Sequence, residues 1–418
     1  MRRLITARVA GVVVVVLLAG WIVAAQIPAS AADTVTTTSV PGTATTTTAE
    51  FPRINLDGAS CAAHSCIVVG EEDLGEQVAL SFAERWAGGV LKQEPMPQPS
   101  RTTKRTGSLS GVSCWSVRGC LAVGYFFPSC CQMKAFAEEW TGSRWKLQRD
   151  IGPHVSPGYQ LSGVSCPAAR YCIAVGDGSN DNGPGNTVGL VEQWDGRRWI
   201  RDPSPNPKTT RGSGQAVSLT NVACADPGDC VAIGSYSNGA GWSRPLAEIY
   251  ADGKWLIRSP TDPKRSATSQ LDSIACPTST ECVAVGGSFA GFVPGAGMPA
   301  KKAEPLAELW NGRDWTVQRL PSPAGSVSSL NSVSCGSPTS CTALGEISGT
   351  PVALLIEHWN GHRWKRQAIP SPLQLTDPGF VDISCATSRT CTAVGESPAQ
   401  DPVIAQVVGT RWTVLTPT

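Results

Sequence analysis

Cysteine is the residue type with the clearest chemical role in this 418-residue chain. Fourteen of the sixteen cysteines form seven short-range pairs, six with five residues between them and one with four. In an exported protein such pairs predict local disulfides, because zinc sites use shorter knuckles combined into sets of four ligands. The predicted disulfides are Cys61–Cys66, Cys114–Cys120, Cys166–Cys172, Cys224–Cys230, Cys276–Cys282, Cys335–Cys341 and Cys385–Cys391.

The two remaining cysteines, Cys130 and Cys131, are adjacent and precede Gln132 and Met133. A vicinal disulfide that stiffens a loop is the interpretation that the sequence favours. The alternatives are a soft sulfur site for Cu(I) and a redox pair.

Other side chains offer little catalytic chemistry. The four histidines are scattered at His64, His154, His358 and His362, and the sequence contains no HExxH, G-x-S-x-G or phosphate-binding glycine motif. Asp177 and residues 180–182 are rich in oxygen, but the register of a calcium loop fails, which favours a solvated turn. We therefore predict no catalytic residue, no metal site and no cofactor.

The cysteine pairs belong to a longer repeated unit. The first cysteines of successive pairs are separated by 53, 52, 58, 52, 59 and 50 residues. Each unit reads Leu-x-x-Val-Ser-Cys, then Cys-x-Ala-Val-Gly, a variable loop, Leu-x-Glu-x-Trp-x-Gly, a second Trp and a Pro-Ser-Pro tail. A period near 50 residues indicates a repeat architecture.

Each unit divides into four short apolar stretches, which in the third unit are 161–166, 172–176, 189–194 and 198–201. None has the length or the 3.6-residue periodicity of a helix, so we expect strands. Seven units of four strands predict an all-β, seven-bladed β-propeller with one disulfide per blade. A right-handed β-solenoid is the alternative, although its coils are usually shorter and more uniform.

The order of the four strands, named a to d, also predicts two faces. In an antiparallel meander the a–b and c–d turns share one face, and the variable b–c and d–a connections share the other. Loops that vary on a rigid scaffold commonly bind ligands, so we expect function at the variable-loop face. Six aromatic residues of the b–c connections are the candidate ligand-binding residues: Tyr125, Phe126, Tyr236, Trp242, Phe289 and Phe292. The alternative is that some of these side chains fold back over the edge of their blade.

The Glu-x-Trp-x-Gly-x-x-Trp signature recurs in most units, for example as Glu192, Trp194, Gly196 and Trp199. Large aromatic side chains at this place are expected to wedge between neighbouring blades. We expect the glutamate to accept backbone or indole N–H bonds rather than to do chemistry. The last unit departs from the pattern, with Gln406 in place of the glutamate.

The N-terminal residues predict export. Residues 1–31 combine three arginines with an apolar run and a small-residue cleavage site, as in a signal peptide or an uncleaved membrane anchor. Residues 32–50 are Thr-rich and predict a disordered linker, which leaves 51–418 for the propeller. Without those three arginines, 31 basic residues face 33 acidic ones, a balance that argues against a nucleic-acid partner.

The small-residue strand that ends in glycine, followed by the aromatic-x-Gly-x-x-Trp hairpin, resembles the kelch repeat. The resemblance is incomplete, because only Gly286–Gly287 supplies the double glycine of kelch blades. The unit is more similar to exported repeat proteins of actinobacteria, over residues 51–418. This resemblance implies the propeller fold and little about activity.

We expect an extracytoplasmic, cell-envelope-associated binding or scaffold module that recognises an envelope polysaccharide or protein. Membrane contact is expected only through an uncleaved N-terminal anchor. The alternative is a secreted glycosidase or sialidase-like hydrolase, or a lyase, on the same scaffold. An acid pair with an arginine cluster near the central channel would favour the enzyme.

Overall fold

The structure is a computed structural model. It describes residues 52–75, 78–99, 107–129, 132–148, 151, 158–179, 186–207, 216–237, 243–258, 260, 263, 268–290, 302–321, 327–348, 352–369, 379–397, 402–409 and 411–415. They belong to one compact unit, Phe51–Thr418. The predicted signal or anchor (1–31) and linker (32–50) lie outside the described residues. No helix among the described residues is long and apolar enough to cross a membrane.

Seven antiparallel sheets, each of four consecutive strands, make up the fold. Blades 1 to 3 contain β1 (Arg53–Ala62), β2 (Ser65–Asp73), β3 (Ala79–Ala87), β4 (Val90–Gln93), β5 (Gly107–Ser116), β6 (Gly119–Ser129), β7 (Gln132–Trp140), β8 (Trp145–Gln148), β9 (Tyr159–Ala168), β10 (Tyr171–Ser179), β11 (Thr187–Trp194) and β12 (Trp199–Asp202). Blades 4 and 5 contain β13 (Val217–Asp226), β14 (Asp229–Ser237), β15 (Ser243–Ala251), β16 (Lys254–Ile257), β17 (Thr268–Thr278), β18 (Glu281–Ala290), β19 (Lys302–Trp310) and β20 (Trp315–Val317). Blades 6 and 7 contain β21 (Val327–Ser337), β22 (Ser340–Ser348), β23 (Ala353–Trp359), β24 (Trp364–Arg366), β25 (Gly379–Thr387), β26 (Thr390–Glu396), β27 (Pro402–Val408) and β28 (Arg411–Leu415).

The predicted seven-bladed propeller is therefore confirmed, and the solenoid alternative is wrong. The first strand of every blade packs beside the first strands of its two neighbours around a central axis. Blade 7 is built from β25–β28 and blade 1 from β1–β4, so no blade mixes strands from the two ends of the propeller.

All seven predicted disulfides are present, one in each blade. Each links the end of strand a to the start of strand b, so it closes the a–b turn. The adjacent pair Cys130 and Cys131 lies outside the described residues.

The hydrophobic core consists of seven clusters, each formed between neighbouring blades. Ile67 and Val69 of blade 1, for example, pack against Leu109, Trp140 and Trp145 of blade 2. The predicted wedging of the signature tryptophans between blades is confirmed. The cluster between blades 7 and 1 is the smallest, with six buried residues against ten or more in each of the others.

Hydrogen bonds reinforce the seam where blade 7 meets blade 1. The Asp382 carboxylate accepts the backbone N–H of Ala59 at 2.8 Å, and the Glu396 carboxylate accepts that of Leu56 at 3.1 Å. These N–H groups belong to the innermost strand of blade 1. Charge-assisted bonds are stronger than neutral ones, so they offset part of the smaller apolar contact at this seam.

The serine of the Val-Ser-Cys motif ties adjacent blades together. The Ser113 hydroxyl accepts the backbone N–H of Cys166 in the next blade at 2.9 Å. The same bond occurs at five of the seven seams; Ala223 and Ala275 hold this position in blades 4 and 5. The other four pairs are Ser60–Cys114, Ser165–Cys224, Ser334–Cys385 and Ser384–Cys61.

We predict that Ser113→Ala lowers the free energy of unfolding by about 1–3 kcal/mol, because it leaves the Cys166 N–H without its acceptor. Urea unfolding of the oxidised protein measures the change. Ser143→Ala, in an exposed c–d turn, is the matched control and should change stability little. Equal effects of the two substitutions would contradict the proposed role of the hydroxyl.

The signature glutamates are buried between the blades. Glu248 accepts a hydrogen bond from the Ser204 hydroxyl of the preceding blade's Pro-Ser-Pro tail at 2.9 Å. The tail before Glu138 carries Met96 instead, and neither Glu138 carboxyl oxygen has a partner. Burial raises the pKa of Glu248 to about 7 and that of Glu138 to about 9. The expected bonds from indole or backbone N–H groups are not observed for either residue.

Glu138 should make the propeller less stable as the pH rises. Its pKa is higher in the folded state, so the folded state binds more protons than the unfolded state between pH 4.5 and about 9. The free energy of unfolding then falls across this window, by at most about 1.4 kcal/mol per pH unit for one group. We predict that Glu138→Gln reduces this slope in urea unfolding measured from pH 5 to 9.

Glutamine is a suitable replacement because Gln406 occupies the equivalent position of blade 7. Glu248→Gln serves as the comparison, since its lower pKa limits its contribution to the window up to about 7. An unchanged slope in Glu138→Gln would refute the assignment.

Candidate binding face and central channel

The two faces of the disc are those that strand order predicts. The Arg118 side chain of the blade 2 a–b turn lies against Gly142 of the c–d turn, and Arg170 lies against Gly196 in blade 3. The a–b and c–d turns thus share one face, here named the disulfide face. The b–c and d–a connections form the variable-loop face.

Every innermost strand contains a β-bulge at the same place, directly after the Leu of Leu-x-x-Val-Ser-Cys or the Phe that replaces it in blade 7. In blade 1, Leu56 pairs with Gly70 and Gly58 with Val69, which leaves Asp57 unpaired. A bulge turns its extra residue out of the ladder, here toward the axis. The seven bulged residues are Asp57, Ser110, Ser162, Thr220, Asp272, Asn331 and Val381.

These residues line a central channel of about 360 Å³. Six of the seven are polar. The next residues along each strand also reach the cavity, among them Asp382 and the Val-Ser-Cys serines of five blades. No Arg, Lys or His is among the described residues that line it. The cavity is therefore a polar, acidic site.

Asp57 lies in an acidic region at the end of the cavity nearer the variable-loop face, here named the channel mouth, because the lining runs from the bulged residues toward the disulfides. Its carboxylate accepts the Ser108 hydroxyl of blade 2 at 3.1 Å. Burial raises the pKa of Asp57 to about 6; the Ser108 bond opposes the rise, and the nearby carboxylates Glu71 and Glu396 add to it. Tyr125 lies in the same region, because its pKa is raised by burial and also by Glu71 and Asp57.

Two further aspartates face the channel. Asp272 accepts an amide hydrogen bond from Gln270 at 2.8 Å, and burial raises its pKa to about 6. Asp382 accepts the Ser332 hydroxyl at 2.6 Å as well as backbone N–H groups, and burial raises its pKa despite these bonds. Asp272 is more available to a ligand than Asp382, because the Asp382 carboxylate already accepts several hydrogen bonds, one of them across the seam between blades 7 and 1.

Three consecutive blades place glycine after the bulge, at Gly58, Gly111 and Gly163, where neighbouring innermost strands approach closely. A Cβ on Gly163 would lie 3.0 Å from the Asn221 Cα and 3.1 Å from the Thr220 carbonyl oxygen. Both neighbours are backbone atoms of the next innermost strand, which cannot move aside cheaply. Glycine is therefore required for the strands to approach this closely.

We predict that Gly163→Ala destabilises the propeller by about 1–3 kcal/mol through this clash. Gly379→Ala is the control, because a Cβ there has no neighbour closer than 3.9 Å. Thermal or urea unfolding distinguishes the two. If both alanine variants are equally stable, the close approach is not a constraint.

The predicted aromatic residues do not form one patch. Phe126 turns into the core and meets Phe136 edge to face at 5.8 Å, whereas its neighbour Tyr125 meets Phe127 in the same way at 5.8 Å. Tyr236 packs against the cluster between blades 3 and 4, and the Phe289 ring lies over Gly287. Trp242 and Phe292 lie outside the described residues.

The bulged residues are the functional candidates that sequence reasoning missed. Their signal is a polar residue directly after the buried Leu of strand a, in Asp57, Ser110, Ser162, Thr220, Asp272 and Asn331. An enzyme is expected to show an arginine cluster beside its acid pair. No arginine is among the described residues that line the channel with these acids. Among the described residues there is also no group of three or more His, Cys, Asp or Glu that could hold a metal ion.

No protein-family model and no curated protein matches this sequence. Solved structures are similar to this chain to different degrees. An ulvan lyase of polysaccharide lyase family PL25 has a TM-score of 0.56 and 8% identity, over 87% of this chain and 96% of the lyase. YCF48 from Cyanidioschyzon merolae has a TM-score of 0.49 and 11% identity, over 85% and 96% of the two chains. The fucose-specific lectin from Aleuria aurantia has a TM-score of 0.41 and 13% identity, over 72% and 94%. At 8% identity the likeness to the lyase concerns the fold alone.

Proposed function

We propose that this protein is a non-catalytic, extracytoplasmic binding module that recognises a cell-envelope glycan at the channel mouth on its variable-loop face. The ring of bulged polar side chains around a 360 Å³ channel carries this proposal. Convergent polar groups on a rigid scaffold fix the orientation of a ligand in its pocket.

The chemistry of the mouth suits a sugar. Asp57 and Asp272 offer carboxylate oxygens, Asn331 an amide, and Ser110 and Ser162 hydroxyl groups, all of which pair with sugar hydroxyls. Tyr125 and Phe127 add an aromatic pair beside Asp57. An aromatic face next to fixed hydrogen-bonding groups orients a sugar ring and excludes water from one side of it.

The disulfides support an extracytoplasmic location. Seven disulfides in one chain are typical of proteins that fold in an oxidising compartment and are rare in the cytosol. Together with the predicted export segment at 1–31, they support a place in the cell envelope or outside the cell. A protein partner at the same face is the competing form of the proposal.

A secreted glycosidase or lyase is the second candidate. It is favoured by Asp57 and Asp272, two carboxyl groups in one cavity whose pKa values are raised to about 6. Carboxyl groups tuned toward neutral pH act as general acids or bases in such enzymes. A polysaccharide lyase with this fold exists, but the likeness extends to the fold alone.

The first experiment measures calorimetric binding of the full oxidised chain to envelope polysaccharide fractions. Asp57→Asn and Tyr125→Ala should each weaken binding about tenfold or more, through a lost charged acceptor and a lost ring face. Tyr125→Phe separates the ring from the hydroxyl. Trp242→Ala and Phe292→Ala extend the test to the connections of blades 4 and 5.

Asp252→Asn, in the exposed c–d turn of blade 4, is the matched control for the carboxylate and should bind normally. If the protein is instead a glycosidase or lyase, the wild type should slowly release reducing ends or unsaturated products. Asp57→Asn or Asp272→Asn should then abolish this release and retain binding. Failure of every fraction to bind would reject the glycan proposal and favour a protein partner.

A further inference from the structure

A second surface lies on the disulfide face of blades 2 and 3. Five exposed arginines occupy the turns there: Arg118, Arg144, Arg170, Arg197 and Arg198. Arg118 and Arg170 belong to the a–b turns and the other three to the c–d turns, so each blade carries a row of cations from the inner turn to the outer one. This group, together with Trp115, is named the arginine surface.

The repeat shows that these charges are not needed for folding. Arg118 and Arg170 pack against the c–d turn glycines Gly142 and Gly196. In blades 5 and 6 the same contact is made by Thr280 on Gly312 and by Thr339 on Gly361. A short, neutral side chain therefore packs against the turn glycine equally well, and the turn does not need the guanidinium groups for its structure.

The arginine surface has little counter-charge. Asp195 is the sole acidic residue in the described a–b and c–d turns of blades 2 and 3, and it forms an ion pair with Arg198 at 3.7 Å. The other four arginines have no carboxylate within 4.0 Å among the described residues. The same face in blades 4 and 5 is different, with acids in or beside its turns at Asp226, Asp229, Asp252, Glu281 and Asp314.

Trp115 adds an aromatic ring between the two rows. It follows the first cysteine of blade 2, where the register with strand b shifts, and it packs partly buried against the cluster between blades 2 and 3. Its ring lies over Gly119. The equivalent residue in the other blades is small or is proline, as in Pro167, Ala225 and Gly336, so the fold does not require tryptophan here.

We propose that the arginine surface binds an acidic polysaccharide, at a site separate from the channel mouth. Arginine presents a planar fork that matches carboxylate and sulfate groups in two-point contacts. Two adjacent rows of such forks suit a chain that repeats its charge, and the half-buried Trp115 ring suits stacking on a sugar between charged units. The Trp115 ring is packed against the cluster between blades 2 and 3, so it is held in place for stacking on a sugar rather than free to insert into an anionic lipid surface.

The test measures binding of the full oxidised chain to polygalacturonate, with neutral dextran, anionic phosphatidylglycerol vesicles and duplex DNA as the other arms. The test variant is Arg118→Thr/Arg170→Thr, which installs the residue that blades 5 and 6 already use. It should weaken polygalacturonate binding about tenfold and reduce its salt dependence. Trp115→Ala should weaken binding without changing the salt dependence.

The matched control is Lys254→Thr/Arg313→Thr, which removes the same two charges from the same face in blades 4 and 5 and should bind like the wild type. Equal binding by the test and control pairs would overturn the proposal. Tighter binding of vesicles or DNA than of polygalacturonate at equal charge would also overturn it. Asp57→Asn should leave this binding unchanged, so the result is independent of the function proposed for the channel mouth.

Discussion

The unpaired inner edge of strand a is the constraint on which this structure depends. Each blade pairs one edge of that strand with strand b and turns the other toward the axis, so seven rows of backbone groups need partners. Ser113 and its equivalents supply oxygen acceptors from the neighbouring blade, and Asp382 does so at the seam between blades 7 and 1. The bulge at Asp57 and its equivalents turns polar side chains toward the same axis. The interactions that close the ring therefore also shape the channel.

The sequence predicts the features that are local in the chain. The cysteine spacing and the four apolar stretches per unit are enough for the blades and disulfides, because each disulfide joins residues five or six positions apart. The bulges could not be predicted, since they depend on the register between two strands. Tyr125 and Phe126 illustrate the consequence: adjacent residues on a strand point in opposite directions, one to the channel mouth and the other to Phe136. The kelch likeness remains a resemblance.

The seven units also serve as internal comparisons for one another. Positions that recur, such as the Val-Ser-Cys serine and the signature glutamate, have partners or burial between the blades. Departures from the repeat then have local explanations. The Ser204 hydroxyl bonds to Glu248, but Met96 occupies the equivalent tail position before Glu138, so Glu138 is left without a partner. At the last seam Gln406 replaces the glutamate and the apolar cluster is smallest, while carboxylates of blade 7 bind blade 1 directly. A residue that departs from the repeat without such a reason, such as Trp115, points to function.

The near-neutral net charge of this protein conceals an uneven distribution of charged side chains. Asp57, Asp272 and Asp382 line the channel with no cation among the described lining residues, whereas five exposed arginines lie in the turns of the disulfide face of blades 2 and 3. Net charge averages over both places, which is why the balance of charges in the sequence does not predict a basic surface. The channel acids lie along the innermost strands and the arginines lie in the turns of the disulfide face, and the strands that connect the two sites are pinned by seam hydrogen bonds and packed clusters. Ligands at the two sites would then bind at the same time without conformational coupling, and a rigid disc of this kind would link one envelope polymer to another.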